Sequence, residues 1–104
     1  MSKNALKKIV RSYAAALRDQ HVPFRHMYLF GSQATGQATR WSDIDVLVVA
    51  DRFPRGYFQY KKNLWRATVL VDGPIEPHAC TVQDFKRSET MVAAETKRSG
   101  IKIM

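Results

Sequence analysis

Residues 43–49, DIDVLVV, constrain the fold more than any other part of this 104-residue sequence. Four apolar side chains follow one another at its far end and favour a β-strand. Because neighbouring side chains of a strand point to opposite faces, both faces of that end must be buried. The segment therefore predicts a sheet with other elements packed on both sides of it.

Helix and strand patterns alternate along the rest of the chain. Apolar residues recur with helical spacing over residues 3–20, and Pro23 marks the end of this helix. Further strands are predicted over residues 24–30 and 75–80, and Pro77 indicates a sheet edge or an irregular start for the second of them. A short helix follows the turn at Gly31, and a longer one covers residues 58–67, with Phe58 and Trp65 in the core.

The last predicted helix begins at Thr81, an N-cap with an acidic residue three positions on, and runs to about residue 98. Gly100 then stops it. The order is helix, strand, helix, strand, helix, strand, helix. This order predicts an α/β (α+β) fold, with a small mixed β-sheet and helices packed against it, in a single domain over residues 1–104.

Composition limits the classes of function. With 17 Lys and Arg against 9 Asp and Glu, the chain carries a formal charge of +8 and should attract nucleotides, nucleic acid or an acidic protein. The charges are spread along the chain, so an ordinary solvated surface explains them equally well. The sequence lacks an apolar run of the roughly 20 residues that span a membrane, and lacks a signal-peptide pattern. With Cys80 as its single, buried cysteine, the chain is predicted to be cytoplasmic, with no membrane partner.

Asp43 and Asp45 stand at the head of the central strand. Residues two apart share a strand face, so both carboxylates should project together while Ile44 enters the core. Two adjacent carboxylates repel each other unless a cation lies between them, and Mg²⁺ prefers such oxygen ligands. The alternative is that they form a solvated strand end, and so short a motif does not decide by itself.

The turn Gly31–Ser32 follows the first predicted strand directly. A glycine there allows the backbone to approach a phosphate closely, and the Ser32 hydroxyl adds a donor. The sequence has neither the lysine nor the spacing of a P-loop, and no acyl-transfer motif surrounds Ser32. A Gly-Ser pair alone is usually just a turn.

The two features together are more specific. The segment LFGSQATGQATRWSDIDVLVV resembles the signature of the DNA polymerase beta-like nucleotidyltransferases, in which Gly-Ser precedes Asp-x-Asp by about ten residues. The likeness is closest to the minimal nucleotidyltransferases. It implies the nucleotidyltransferase fold and transfer of a nucleoside monophosphate, AMP from ATP, to a hydroxyl. Gly31 and Ser32 would bind the nucleotide, Asp43 and Asp45 would hold Mg²⁺, and the catalytic residues would be Asp43, Asp45 and Glu76.

The third carboxylate departs from the usual pattern of these proteins. Glu76 stands where Asp is often found, although it can share a face with the aspartates, and Asp72 remains an alternative. Gln33 replaces an arginine that many relatives have. His78 could also face the site, but such a histidine more often lies on the surface or in a hydrogen bond. Trp41 could stack on a base or pack against its loop.

The resemblance also implies a partner. Minimal nucleotidyltransferases resemble the antitoxin half of a two-protein module, in which AMP is added to a tyrosine of a small helical HEPN-class protein. The alternative is a non-catalytic basic binding module that retains the fold and binds a partner protein or, less favoured, nucleic acid. The acid pair argues against this alternative, because without metal it would repel phosphate.

Overall fold

The computed structural model describes residues 1–40 and 42–104, which form five helices and four strands. The helices are α1 (Lys3–Asp19), α2 (Ser32–Thr35), α3 (Tyr57–Thr68), α4 (Val82–Arg87) and α5 (Met91–Ser99). The strands are β1 (His26–Phe30), β2 (Ile44–Ala50), β3 (Ile75–Thr81) and β4 (Ile101–Lys102). The prediction for Trp41 lies outside the described residues.

The strands form one mixed sheet in the order β3-β2-β1-β4. β1 is antiparallel to both β2 and β4, whereas β2 and β3 are parallel. The predicted mixed sheet with packed helices is therefore confirmed, and β3 with Pro77 lies at its edge. Because β2 and β3 run in the same direction, their first residues meet at one end of the sheet. The register pairs Asp45 with Glu76 there.

Helices cover both faces of the sheet, as the central strand predicted. Ile44, Val46 and Val48 pack in a core with residues of α1 and α3. On the opposite face Leu47 and Val49 pack with residues of α4 and α5. Cys80 joins this second core as a buried thiol. Alternate residues of β2 thus pack into two separate apolar cores, one on each face of the sheet. Asp45 lies on the same face as Leu47.

The single last helix of the sequence prediction is in fact two helices. Thr81 caps α4 as predicted, its side chain accepting a hydrogen bond from the Asp84 N–H at 3.1 Å. Ser88 then adopts a left-handed conformation with φ of 53° and ends α4. Thr90 starts α5 with a second cap, accepting from the Ala93 N–H at 3.0 Å. After the break, α5 packs against β1 and β2, whereas α4 packs against β2 and β3.

The outer surface of α3 differs from its prediction. Its buried residues are Tyr60, Leu64 and Ala67. Phe58 is 86% exposed and Trp65 is 47% exposed, so their placement in the core was wrong. Both lie away from the stripe that faces the sheet. No helix within the described residues has the length and apolar character needed to cross a membrane.

Candidate active site

The turn between β1 and α2 lies directly against the carboxylate of Asp45. Gly31 has φ of 74°, a conformation that L side chains rarely adopt. A Cβ atom at this position would lie 2.5 Å from Oδ2 of Asp45, closer than two such atoms can come. Glycine is therefore required at position 31 for two reasons. Ser32 follows as the first residue of α2. Because Gly31 lies against Asp45, the structure brings the predicted turn and one of the predicted acids together.

The second acid of the pair lies outside the strand. β2 begins at Ile44, whose N–H donates to the Pro74 carbonyl at 2.8 Å, so Asp43 precedes the strand by one residue. Asp43 is exposed, whereas Asp45 is partly buried. The prediction that both aspartates sit within the strand was thus wrong for Asp43. Its charge nevertheless acts on Asp45, because it contributes to raising the pKa of that carboxyl.

Three side chains from β2 and β3 converge at the end of the sheet. Nε2 of His78 lies 3.6 Å from Oδ1 of Asp45 and 3.8 Å from Oε1 of Glu76. One potential ligand atom from each of the three residues falls within 4.8 Å of the others. Asp72 is exposed in the bend before β3 and is not among them. The geometry therefore brings Glu76, rather than Asp72, beside Asp45.

His78 faces this cluster, not the surface. Its side chain is 28% exposed, and its ring meets the ring of Phe30 edge-on at 5.1 Å between centroids. Nε2 is buried and has no hydrogen-bond partner within the described part of the chain. His78 is therefore neither a surface residue nor hydrogen-bonded through Nε2 within the described part of the chain.

The cluster combines partial burial with several neighbouring acids. Burial raises the pKa of Asp45 to about 6, with further contributions from the charge of Glu76 and a hydrogen bond to it, and from Asp43 and Glu95. The pKa of His78 is lowered, chiefly by burial and then by Lys61, although Glu76 and Glu95 act in the opposite direction. A partly buried carboxyl with other acids beside it is suited to a divalent cation, which opposes their charge.

Two charged residues near the cluster were missed by the sequence analysis. Lys61 of α3 donates from Nζ to the Pro77 carbonyl at 2.7 Å, and burial lowers its pKa while Glu76 raises it. Glu95 of α5 acts on both Asp45 and His78. Both residues reach the site from helices whose rotation against the sheet is set by tertiary packing. No local pattern distinguished them from the other charges of the chain.

Several solved structures have a similar fold. A toxin–antitoxin with AMP-PNP matches at 24% identity with a TM-score of 0.59, over 90% of this chain and 71% of that chain. A mutant of the toxin–antitoxin MntA-HpeT matches at 24% identity and 0.60, over 95% and 72%. A protein described as a nucleotidyltransferase from Sulfolobus solfataricus matches at 20% identity and 0.50, over 84% and 82%. At these identities the likeness concerns the fold alone.

Sequence comparison gives the family. No curated protein sequence matches this chain significantly. The family model of the nucleotidyltransferase domain, however, matches residues 10–103 and so spans the Gly31 turn, Asp45 and Glu76. With nearly the whole chain covered by that match, the protein belongs to the nucleotidyltransferase domain family.

Proposed function

We propose that this protein transfers AMP from ATP to a hydroxyl group of a partner protein. The observation that carries the proposal is the position of Gly31, whose missing side chain lets the turn approach within contact of the Asp45 carboxylate. A phosphate bound at this turn would lie beside Asp45 and Glu76. Membership of the nucleotidyltransferase domain family supports nucleotidyl transfer as the type of reaction.

The binding roles follow from the chemistry of the turn and the acids. Gly31 and Ser32 bind the phosphates through backbone N–H groups and the Ser32 hydroxyl. Asp43 and Asp45 hold Mg²⁺, for which oxygen ligands and neighbouring phosphates form the usual environment. Burial and the neighbouring acids, which together raise the pKa of Asp45, fit such an ion. When bound, Mg²⁺ would neutralise negative charge on the triphosphate as the reaction proceeds.

The reaction itself is a displacement at the α-phosphorus. The acceptor oxygen forms a bond to this phosphorus, the bond to the bridging oxygen of the β-phosphate breaks, and pyrophosphate leaves. The acceptor proton passes to a carboxylate, and we assign this role to Glu76. Its side chain is 41% exposed beside Asp45, so an incoming hydroxyl can reach it. Asp72 remains the alternative base, although it lies outside the cluster.

The proposed acceptor is a tyrosine of a small helical HEPN-class protein, with this chain as the antitoxin of the pair. Two structures with a similar fold are described as toxin–antitoxins, one of them with AMP-PNP, and both facts support a nucleotide and a protein partner. The formal charge of +8 suits a partner with an acidic surface. The cell compartment consistent with this role is the cytoplasm.

Mass spectrometry of the co-expressed pair tests the proposal. We expect the partner to gain the mass of AMP, and we expect Asp43→Asn and Asp45→Asn each to abolish the gain. Asp51→Asn is the matched control, because it makes the same change beyond the far end of β2, where Asp51 pairs with Arg25 at 3.6 Å. An unmodified partner that binds wild type and Asp45→Asn equally would instead identify a non-catalytic binding module.

A further inference from the structure

We propose that His78 supplies a nitrogen ligand to a divalent-metal position completed by Asp45 and Glu76, and that this position selects a transition metal over Mg²⁺. The inference rests on the proposed function in two respects. Asp45 would also contact the Mg²⁺ shared with Asp43, and Glu76, the proposed base, would give only one of its two carboxylate oxygens to the further ion. It goes beyond it by assigning a further metal position, a third ligand and a class of metal.

The distances between the three side chains suit coordination of one ion. Ligands about 2.1 Å from a tetrahedral ion lie about 3.4 Å from one another, which follows from usual metal–nitrogen and metal–oxygen bond lengths. The Nε2 atom of His78 is 3.6 Å from the Asp45 oxygen and 3.8 Å from the Glu76 oxygen. The two His78 contacts would thus need to shorten by only a few tenths of an ångström, and the Asp45 and Glu76 ligand atoms lie within 4.8 Å of each other.

The same distances exclude an ordinary hydrogen bond from His78 to either carboxylate. Both contacts are too long for a hydrogen bond, which requires about 2.7–3.2 Å between nitrogen and oxygen. A buried polar nitrogen without a partner is costly, and few such atoms remain in folded proteins. Nε2 of His78 is one of them among the residues the structure describes. Packing of its ring against Phe30 fixes the direction of this nitrogen but does not satisfy it.

The type of ligand determines the type of metal. Mg²⁺ favours oxygen ligands in octahedral geometry, whereas imidazole suits the first-row transition metals. A site with two carboxylate oxygens and one imidazole nitrogen should bind Mn²⁺ more tightly than Mg²⁺, and Co²⁺ more tightly still, following the general order of affinities. In the parallel register of β2 and β3, Asp45 lies opposite Glu76, and His78 lies opposite Leu47, two residues further on. The pairing of these two strands thus brings the three ligands together.

Metal titration of the isolated protein without nucleotide tests the inference. After removal of bound metal by a chelator, the full chain is titrated with Co²⁺, Mn²⁺ and Mg²⁺, followed by calorimetry and by the visible absorbance of Co²⁺. We expect wild type to bind Co²⁺ at least about tenfold more tightly than Mg²⁺. His78→Asn should lose about tenfold or more in Co²⁺ affinity and change the Co²⁺ spectrum, while its Mg²⁺ affinity stays within about twofold.

His26→Asn is the matched control, because His26 lies on β1, which is separated from β3 by β2, and at the opposite end of the sheet, where it pairs with Val49. It should bind Co²⁺ as wild type does. His78→Gln is a second variant in case the first fails to fold, and circular dichroism confirms the fold of each. Unchanged Co²⁺ affinity and spectrum in a folded His78 variant would overturn the inference, as would equal affinity of wild type for Co²⁺ and Mg²⁺. AMP transfer supported by Mg²⁺, measured separately, decides the proposed function independently.

Discussion

At the scale of single residues, the contact between Gly31 and Asp45 joins two parts of the chain that are 14 positions apart. The Asp45 carboxylate occupies the space that a side chain at position 31 would need. This contact makes the turn and the acid one unit, so a change in either should affect the other. Their closeness is set by the antiparallel pairing of β1 and β2, which places Phe30 opposite Asp45.

Gly31→Ala should weaken nucleotide binding severely. The new methyl group would displace the Asp45 carboxylate, and the backbone at φ of 74° and ψ of −154° would add strain of about 1–3 kcal/mol. Gly36→Ala is the matched control, because Gly36 also has a positive φ, of 80°, but no described atom lies within 4 Å of the position that its Cβ would take. It should lose about 1–2 kcal/mol of stability from strain, because Gly36 is left-handed, while keeping its affinity for ATP. Calorimetry with Mg²⁺ and denaturant unfolding separate the two effects, and equal loss of ATP affinity in both variants would contradict the prediction.

The Asp45 carboxyl should make the stability of the metal-free protein depend on pH. Its pKa is about 6 in the folded protein against an ordinary value of 3.8, so the folded state favours the protonated form. The stability that this group contributes is fully present below pH 4 and is lost as the pH rises through 6. Asp45→Asn should therefore be more stable than wild type at pH 7, by on the order of 2 kcal/mol once partial screening by solvent is allowed for, with the difference vanishing near pH 4.

Urea unfolding of both proteins with a chelator present, from pH 4 to pH 7, measures this difference. Comparison with the variant largely cancels the titration of Glu76, Glu95, Asp43 and His78, which face Asp45 or act on it and are common to both proteins. A stability difference that does not vary with pH would show that the carboxyl is not perturbed as described.

At the scale of elements, the sequence predicted best where the local pattern and the tertiary packing agree. β2 was predicted because its unbroken apolar run fits only a strand that is buried on both faces, and β3 was placed at an edge by Pro77. The Thr81 cap marked the start of α4 for the same reason, since its hydrogen bond is local. Most of the fold could be predicted from such features.

The elements that were missed depend on contacts distant in sequence. β4 has only two residues and forms by pairing with Tyr28 and Leu29, which no pattern near residue 101 could indicate. The division of the last helix depends on a left-handed Ser88, a conformation that serine adopts less readily than glycine. This division matters for the site, because α5 carries Glu95. In the candidate site, the turn and the acids were singled out by their spacing and by the family resemblance, whereas the orientation of His78 and the approach of Lys61 required the packed structure.

At the scale of the whole molecule, the positive charge and the acidic site act in different ways. The site is a small negative cluster within a protein of net charge +8, so the long-range field attracts anions while the cluster itself demands a cation. ATP with a bound metal ion satisfies both requirements. An acidic partner would meet only the first requirement, because the positive surface charges would attract it. It need not approach the acidic cluster until its acceptor hydroxyl is in place.

The binding of an acidic HEPN-class partner should consequently depend on salt mainly through its rate of association. Surface charges are screened over about 10 Å at 0.1 M salt and about 3 Å at 1 M. Raising NaCl from about 0.05 M to about 0.5 M should therefore lower the association rate constant by about tenfold or more, while the dissociation rate constant changes much less. Surface plasmon resonance across this range measures both constants, and an equal concentration of sucrose controls for non-ionic effects. Salt-independent association would mean that the charge of +8 is spread too evenly to guide the partner, and recognition would then rest on short-range contacts.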